Sequence, residues 1–211
     1  MTQILLYRSE NGIAIATDSR AVAFEGKSPE EAQHLQVQKL FALGPEVIAV
    51  TGGAGFGIRL CEKFQRYVGQ AGLSDFHDIA ESALGFFRTE TDSFRRGHLS
   101  AQVRSELNRF YVVLAGSVPE GDEQSFPLLF IGSEQADDPV HVLETSNVLT
   151  IPRQVTLEYR LAHLQPSDDS LQQVEALFEK FLLTLAESDD DIGPPYHFIR
   201  ITGDGIQVRT V

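Results

Sequence analysis

Two short apolar runs open the chain, Thr2–Ser9 and Gly12–Thr17, with Glu10-Asn11-Gly12 between them. Ile4 and Leu6 alternate with Leu5 and Tyr7, and Ile13 and Ile15 alternate with Ala14 and Ala16. Both faces of the implied hairpin are therefore apolar. A sheet with one wet face alternates apolar and polar residues, so this hairpin has to be covered on both sides. Asn-Gly supplies the positive-φ residues of a tight turn and is expected to close it.

The same reading continues along the chain. Glu25 to Gln36 is a polar, Glu-rich excursion. Gln38–Leu43 and Glu46–Thr51, split by Gly44-Pro45, predict a second hairpin. Gly52-Gly53-Ala54-Gly55 then leads into a helix with Ile58, Cys61, Phe64 and Val68 on one face. A second helix is predicted from about Ser74 to Phe94, capped by Ser74 or Asp75, with Gly85 as its weak point. Strands follow at Arg109–Gly116, Pro127–Ile131 and Val140–Glu144, with Ser117–Ser125 as a turn-rich link. Arg153–Leu164 is weakly helical, and Ser170–Glu187 carries the clearest apolar stripe of the chain. Tyr196–Thr202 and Gly205–Val211 close the chain as strands.

Hairpins thus segregate from helix pairs, where parallel βαβ units would alternate strictly. The order predicts an α+β chain folded as a four-layer αββα sandwich of two antiparallel sheets. A length of 211 residues suits one domain over 1–211. A net charge of −13 argues against a nucleic-acid partner, because an acidic surface repels phosphate backbones. The single cysteine, Cys61, excludes an internal disulfide and fits a reducing compartment. The opening MTQILLYRSENG has no basic region or long apolar core of a secretory signal. No run approaches the ~20 apolar residues that span a bilayer. The expectation is a cytoplasmic protein without a membrane partner.

Four segments in this order resemble the proteasome β-subunit family. They are Thr2-Gln3-Ile4-Leu5; Gly12-Ile13-Ala14-Ile15-Ala16-Thr17-Asp18-Ser19-Arg20-Ala21; Gln38-Lys39-Leu40-Phe41-Ala42-Leu43; and Val50-Thr51-Gly52-Gly53-Ala54 before a helix. The closing Asp190-Asp191-Ile192-Gly193-Pro194-Pro195, with Asp204-Gly205 after the next strand, is similar to that family's last segment. It is closer still to the bacterial proteasome-related proteins called Anbu, or ancestral β-subunit. The resemblance is specific over roughly the first 55 residues and weak between Leu73 and Val140.

The resemblance implies an N-terminal-nucleophile hydrolase: a threonine peptidase, self-assembled in a ring or spiral, acting on peptide or protein substrates. It implies Thr2 as nucleophile once Met1 is removed, because a threonine hydroxyl needs a base beside it and the free α-amine can serve. It implies Asp18 and Lys39 as the supporting carboxylate and ammonium, with Lys27 as the other lysine of that stretch. Gly52 matches the oxyanion-hole glycine, and Asp190 the acidic position near the C-terminus. Ala21, Val22 and Val50 match positions lining the pocket beside the nucleophile. No cofactor and no metal are implied, and an ATPase or unfoldase partner is left open.

Two departures stand out. The family's small Gly-Ser-Gly-type turn corresponds to Leu149-Thr150-Ile151-Pro152-Arg153-Gln154, with no serine, and its C-terminal serine is Gly193. These keep two other readings open: a catalytically idle, proteasome-like scaffold that retains Met1, and an amidase acting on small acyl-amides. The six histidines show no metal-ligand spacing on one helix, and no Gly-x-Ser-x-Gly elbow is present.

Overall fold

The computed structural model of the protein describes residues 3–24, 32–97, 109–135, 137–164 and 170–211, with backbone alone at 22–24, 32 and 97. β1 (Ile4–Ser9) and β2 (Gly12–Thr17) pair antiparallel, Ile4 against Thr17 and Ser9 against Gly12. The loop is therefore Glu10-Asn11, one residue earlier than the predicted Asn-Gly. Gly12 is already in the strand, with φ +141°, and a Cβ there would lie 2.2 Å from the Ile201 carbonyl oxygen. Glycine is required because a strand of the same sheet passes against its Cα.

The first five-stranded sheet runs β12 (Val148–Ile151), β1, β2, β13 (His197–Thr202), β14 (Gly205–Thr210). The second runs β11 (His141–Val142), β10 (Leu128–Ser133), β7 (Phe110–Gly116), β6 (Val47–Gly53), β5 (Leu40–Ala42). Every pairing in both is antiparallel. Two small hairpins stand apart: β3 (Arg20–Phe24) with β4 (Ala32–Gln36), and β8 (Val118–Glu120) with β9 (Glu123–Ser125). The described residues contain four helices: α1 (Phe56–Ala71), α2 (Phe76–Gly97), α3 (Val155–Ala162) and α4 (Ser170–Ala186).

The side chains sort into three apolar layers, and these give the α+β sandwich its order. Ile4, Leu6, Ile13 and Ile15 of the first sheet meet Ile48, Val50 and Val113 of the second. The alternate residues Leu5, Tyr7, Ala14 and Ala16 pack on Leu157 and Leu161 of α3 and on Val174, Phe178 and Leu182 of α4. Phe41, Ala49, Val112 and Leu114 pack on Phe64 of α1 and on Ile79, Ala83 and Phe87 of α2. Each sheet is buried on both faces, as the two-sided apolar hairpin requires.

Asp75 begins α2: its carboxylate accepts the Asp78 N–H at 3.0 Å. Gly85 does not interrupt this helix, since it is exposed and flanked by the buried Ala83 and Phe87. No helix among the described residues is long and apolar enough to cross a membrane.

Candidate active site

β2 ends at Thr17 and hands the chain to Asp18, which is fully buried at the end of the first sheet. Its carboxylate is held on both oxygens by backbone: Oδ1 accepts the Gln3 N–H at 2.9 Å, and Oδ2 accepts the Arg20 N–H at 3.0 Å. Lys39 arrives from the second sheet, immediately before β5. Its carbonyl accepts the Thr51 N–H at 2.9 Å, which extends the β5–β6 ladder and fixes the lysine backbone. From there Nζ reaches Asp18 Oδ1 at 2.9 Å and the Arg20 carbonyl at 2.5 Å. Asp18 is 0% and Lys39 1% exposed, so this ion pair is withdrawn from solvent and joins the two sheets.

Burial pushes the Lys39 ammonium below its ordinary 10.5, and the charge and hydrogen bond of Asp18 offset part of that shift. The ammonium is thus a better proton donor than a surface lysine. Tyr196 is a buried residue whose hydroxyl pKa is raised above its ordinary value, by burial first and by the Asp18 charge second. The Ser19 hydroxyl is buried and has no hydrogen-bond partner among the described residues.

Gly52 is buried near the end of β6, opposite Tyr111. It directly follows Thr51, whose N–H holds Lys39 and whose hydroxyl donates to the Tyr111 carbonyl at 2.9 Å. Gly53 has φ +87°, and a Cβ there would fall 1.9 Å from the Arg109 carbonyl oxygen. The turn that carries Gly52 therefore depends on glycine at the next position.

The C-terminal segment meets the site through Arg20. Its Nη1 donates to the Asp190 carbonyl at 2.7 Å, and its guanidinium lies over Gly193, where a Cβ would be 2.4 Å from Cζ. Ser19 N–H donates to the Gly193 carbonyl at 3.2 Å. The Asp190 side chain itself is exposed, and no hydrogen bond joins its carboxylate to Asp18 or Lys39 among the described residues. What Asp190 brings to the site is its main chain. His34 Nε2 of β4 is 3.6 Å from the neighbouring Asp191 carboxylate, which ties the small hairpin to the same turn.

Of the other sequence-predicted residues, Thr2 and Lys27 lie outside the described residues, and so does the Val22 side chain. Ala21 is half-buried on β3 opposite Leu35. Val50 is fully buried in the layer between the sheets, opposite Leu40 of β5. A cavity of about 440 Å³ does open at this end of the sandwich, but neither Ala21 nor Val50 lines it. Its walls include Gly53, Tyr111, Leu149, Ile151 and Pro152.

Four residues outside the candidate list complete the neighbourhood, Gln3, Ser19, Arg20 and Tyr196, beside Gly193, the position where the resembled family has its C-terminal serine. Ser19 and Arg20 sit inside the Asp-Ser-Arg segment and could have been taken with it. Gln3 lies in the opening Thr2-Gln3-Ile4-Leu5 segment in the same way, while Tyr196 comes from the far end of the chain and has no local signal. No group of three or more His, Cys, Asp or Glu among the described residues could hold a metal ion. No protein-family model matches the chain, and no curated protein matches it significantly.

Proposed function

We propose that this chain is an N-terminal-nucleophile hydrolase of the proteasome β-subunit type, with the αββα fold of that class and Thr2 as its nucleophile. The observation that carries the reading is the buried Asp18–Lys39 pair, anchored on the N–H of Gln3, the residue after Thr2. A buried ion pair costs several kcal/mol of desolvation per ion and is often no better for stability than apolar residues of the same volume. Its place beside the start of β1 favours a chemical role.

The reaction follows from the residues. With Met1 removed, the Thr2 α-amine, ordinarily titrating at ~8, takes the hydroxyl proton as Oγ attacks the amide carbonyl of the substrate. The Lys39 ammonium lowers the cost of negative charge on that oxygen, and Asp18 fixes the lysine. The Gly52 N–H is the donor for the tetrahedral oxyanion, a contribution of ~3 kcal/mol. The C–N bond then breaks, the leaving amine takes the proton from the α-amine, and an ester to Thr2 remains. Water hydrolyses that ester with the same amine as base, releasing the acid and restoring the hydroxyl. The enzyme is cytoplasmic in this reading, which its lone Cys61 fits. It acts as a homo-oligomer on peptides.

One observation favours a second reading, an idle scaffold of the same architecture. Arg20 occupies the space beside Gly193, where the resembled family carries a serine side chain. Turnover separates the two. Fluorogenic peptides and small acyl-amides are offered to the wild-type chain and to Thr2→Ala. Release by wild type alone supports the hydrolase, and the preferred class distinguishes peptidase from amidase. No release by either, with Met1 still attached in the intact mass, supports the scaffold.

A further inference from the structure

The layer between the sheets is not closed at the end where the Asp18–Lys39 pair lies. A cleft of about 440 Å³ opens between β12, the outer strand of the first sheet, and β7, β10 and the end of β11 in the second. Its apolar lining comes from Leu149 and Ile151, Tyr111, Phe130 and Leu143. All five belong to or pack against the inter-sheet core, yet Tyr111, Leu143 and Leu149 stay partly exposed. They are core-facing side chains left partly uncovered, and their position makes the cleft a concave apolar site.

One chain connection and one hydrogen bond bring this cleft to the candidate site. Gly53, in its wall, follows Gly52. Pro152, also in the wall, accepts the Gln3 side-chain amide at 3.3 Å. Beside it Arg109 holds φ +51°, a left-handed conformation that non-glycine residues adopt rarely and that clusters at functional sites.

We propose that this cleft seats an apolar side chain, aliphatic or aromatic, of an extended peptide lying along β12. Three observations choose that occupant. The volume suits one or two side chains rather than a folded partner. Among the described residues β12 has β1 as its strand partner and no strand on its other edge, which an extended chain can pair with. The rim carries both signs, Arg109 and Arg153 with Glu134 and Glu144, and so offers no single positive patch for the carboxylate head of a fatty acid. The peptide as substrate rests on the hydrolase reading; the binding itself does not.

The chain has no tryptophan, so one introduced at the cleft is a unique fluorophore. Tyr111→Trp is titrated with acetyl-Ala-Leu-Leu-Ala-amide, acetyl-Ala-Asp-Asp-Ala-amide and decanoate. Tyr67→Trp, on the outer helix layer, serves as control, and Leu143→Trp replaces Tyr111→Trp if the latter melts well below wild type. The expected result is a saturable blue shift with the leucine peptide alone, absent in the control and weakened at least tenfold by adding Leu149→Glu, one lost apolar contact's worth of affinity. No saturable shift, an equal response to the aspartate peptide or to decanoate, or an equal response in the control overturns the proposal. Hydrolysis is read separately by mass. Binding without cleavage then counts against the hydrolase reading alone, and cleavage without a cleft response counts against the cleft alone.

Discussion

At the scale of single residues, Arg20 and Gly193 account for the departure at the C-terminal turn. The Arg20 guanidinium needs the space above Gly193 to reach the Asp190 carbonyl, and the Arg20 main-chain carbonyl accepts a hydrogen bond from Lys39. A serine at 193 pushes the flexible end of Arg20 aside and breaks the Asp190 contact. Gly193→Ser is therefore expected to cost about 1 kcal/mol, the value of one partly exposed, charge-assisted hydrogen bond. The cost is expected to vanish in an Arg20→Ala background, where nothing is left to displace. Urea unfolding of the four proteins checks this, and equal costs in both backgrounds would contradict it. The candidate residues legible in the sequence were those inside motifs, Asp18 and Lys39 above all. The Asp18 carboxylate joins residues 21 positions apart, and Arg20 reaches across 170 positions to Asp190. Contacts of that span leave no periodic trace in a single sequence.

At the scale of elements, the segments read correctly are those with a strong apolar signal, continuous in a strand or periodic in a helix. β1 and β2 are buried on both faces, and α2 keeps its apolar stripe through Gly85. β4 lies inside the polar Glu25–Gln36 excursion: Gln33, His34, Leu35 and Gln36 are all exposed, so pairing with β3 holds it without a hydrophobic signal. β12 carries no strand signal of its own because it is four residues long and Pro152 follows it directly.

The junction of β12 and α3 is held by polar contacts instead. The Thr150 hydroxyl donates to Glu158 at 2.6 Å and accepts the Gln154 N–H at 2.6 Å, while Arg153 Nε donates to Glu158 at 2.9 Å. Burial raises the Glu158 pKa, and the hydrogen bonds from Thr150 and Arg153 outweigh it, so the carboxyl titrates below its ordinary 4.5. A depressed carboxyl contributes stability above its unfolded pKa and loses it as pH falls through the folded one. Glu158→Gln is thus expected to be less stable than wild type by about 1 kcal/mol at pH 7. The gap should shrink below pH 4.5, and denaturant melts at pH 7 and pH 3.5 check it. A gap unchanged between the two pH values would contradict the assignment.

At the scale of the whole molecule, the sandwich leaves apolar side chains on its outer helix layer. Val155 and Tyr159 of α3 are each 66% exposed, and Leu183 of α4 is 48% exposed. Those side chains gain from being covered, while a net charge of −13 makes copies of the chain repel. Salt screens the repulsion, with a Debye length of ~10 Å at 0.1 M and ~3 Å at 1 M. The self-assembly proposed here is therefore expected to strengthen with ionic strength. Sedimentation velocity should show species heavier than the 23.3 kDa chain, increasing from low to high salt. A single monomer peak throughout would contradict it.

In the proposed mechanism the Asp18–Lys39 pair serves a hydroxyl and an amine on one residue, Thr2. A peptide epoxyketone closes its ring adduct only where both groups sit on the same residue, so intact-mass spectrometry of the treated protein reads the claim directly. The expected result is a chain lacking Met1 that gains one inhibitor, with the adduct on the N-terminal Thr2 peptide. No adduct is expected on folded Lys39→Met. Retained Met1 with no adduct, or labelling indifferent to Lys39, would contradict it.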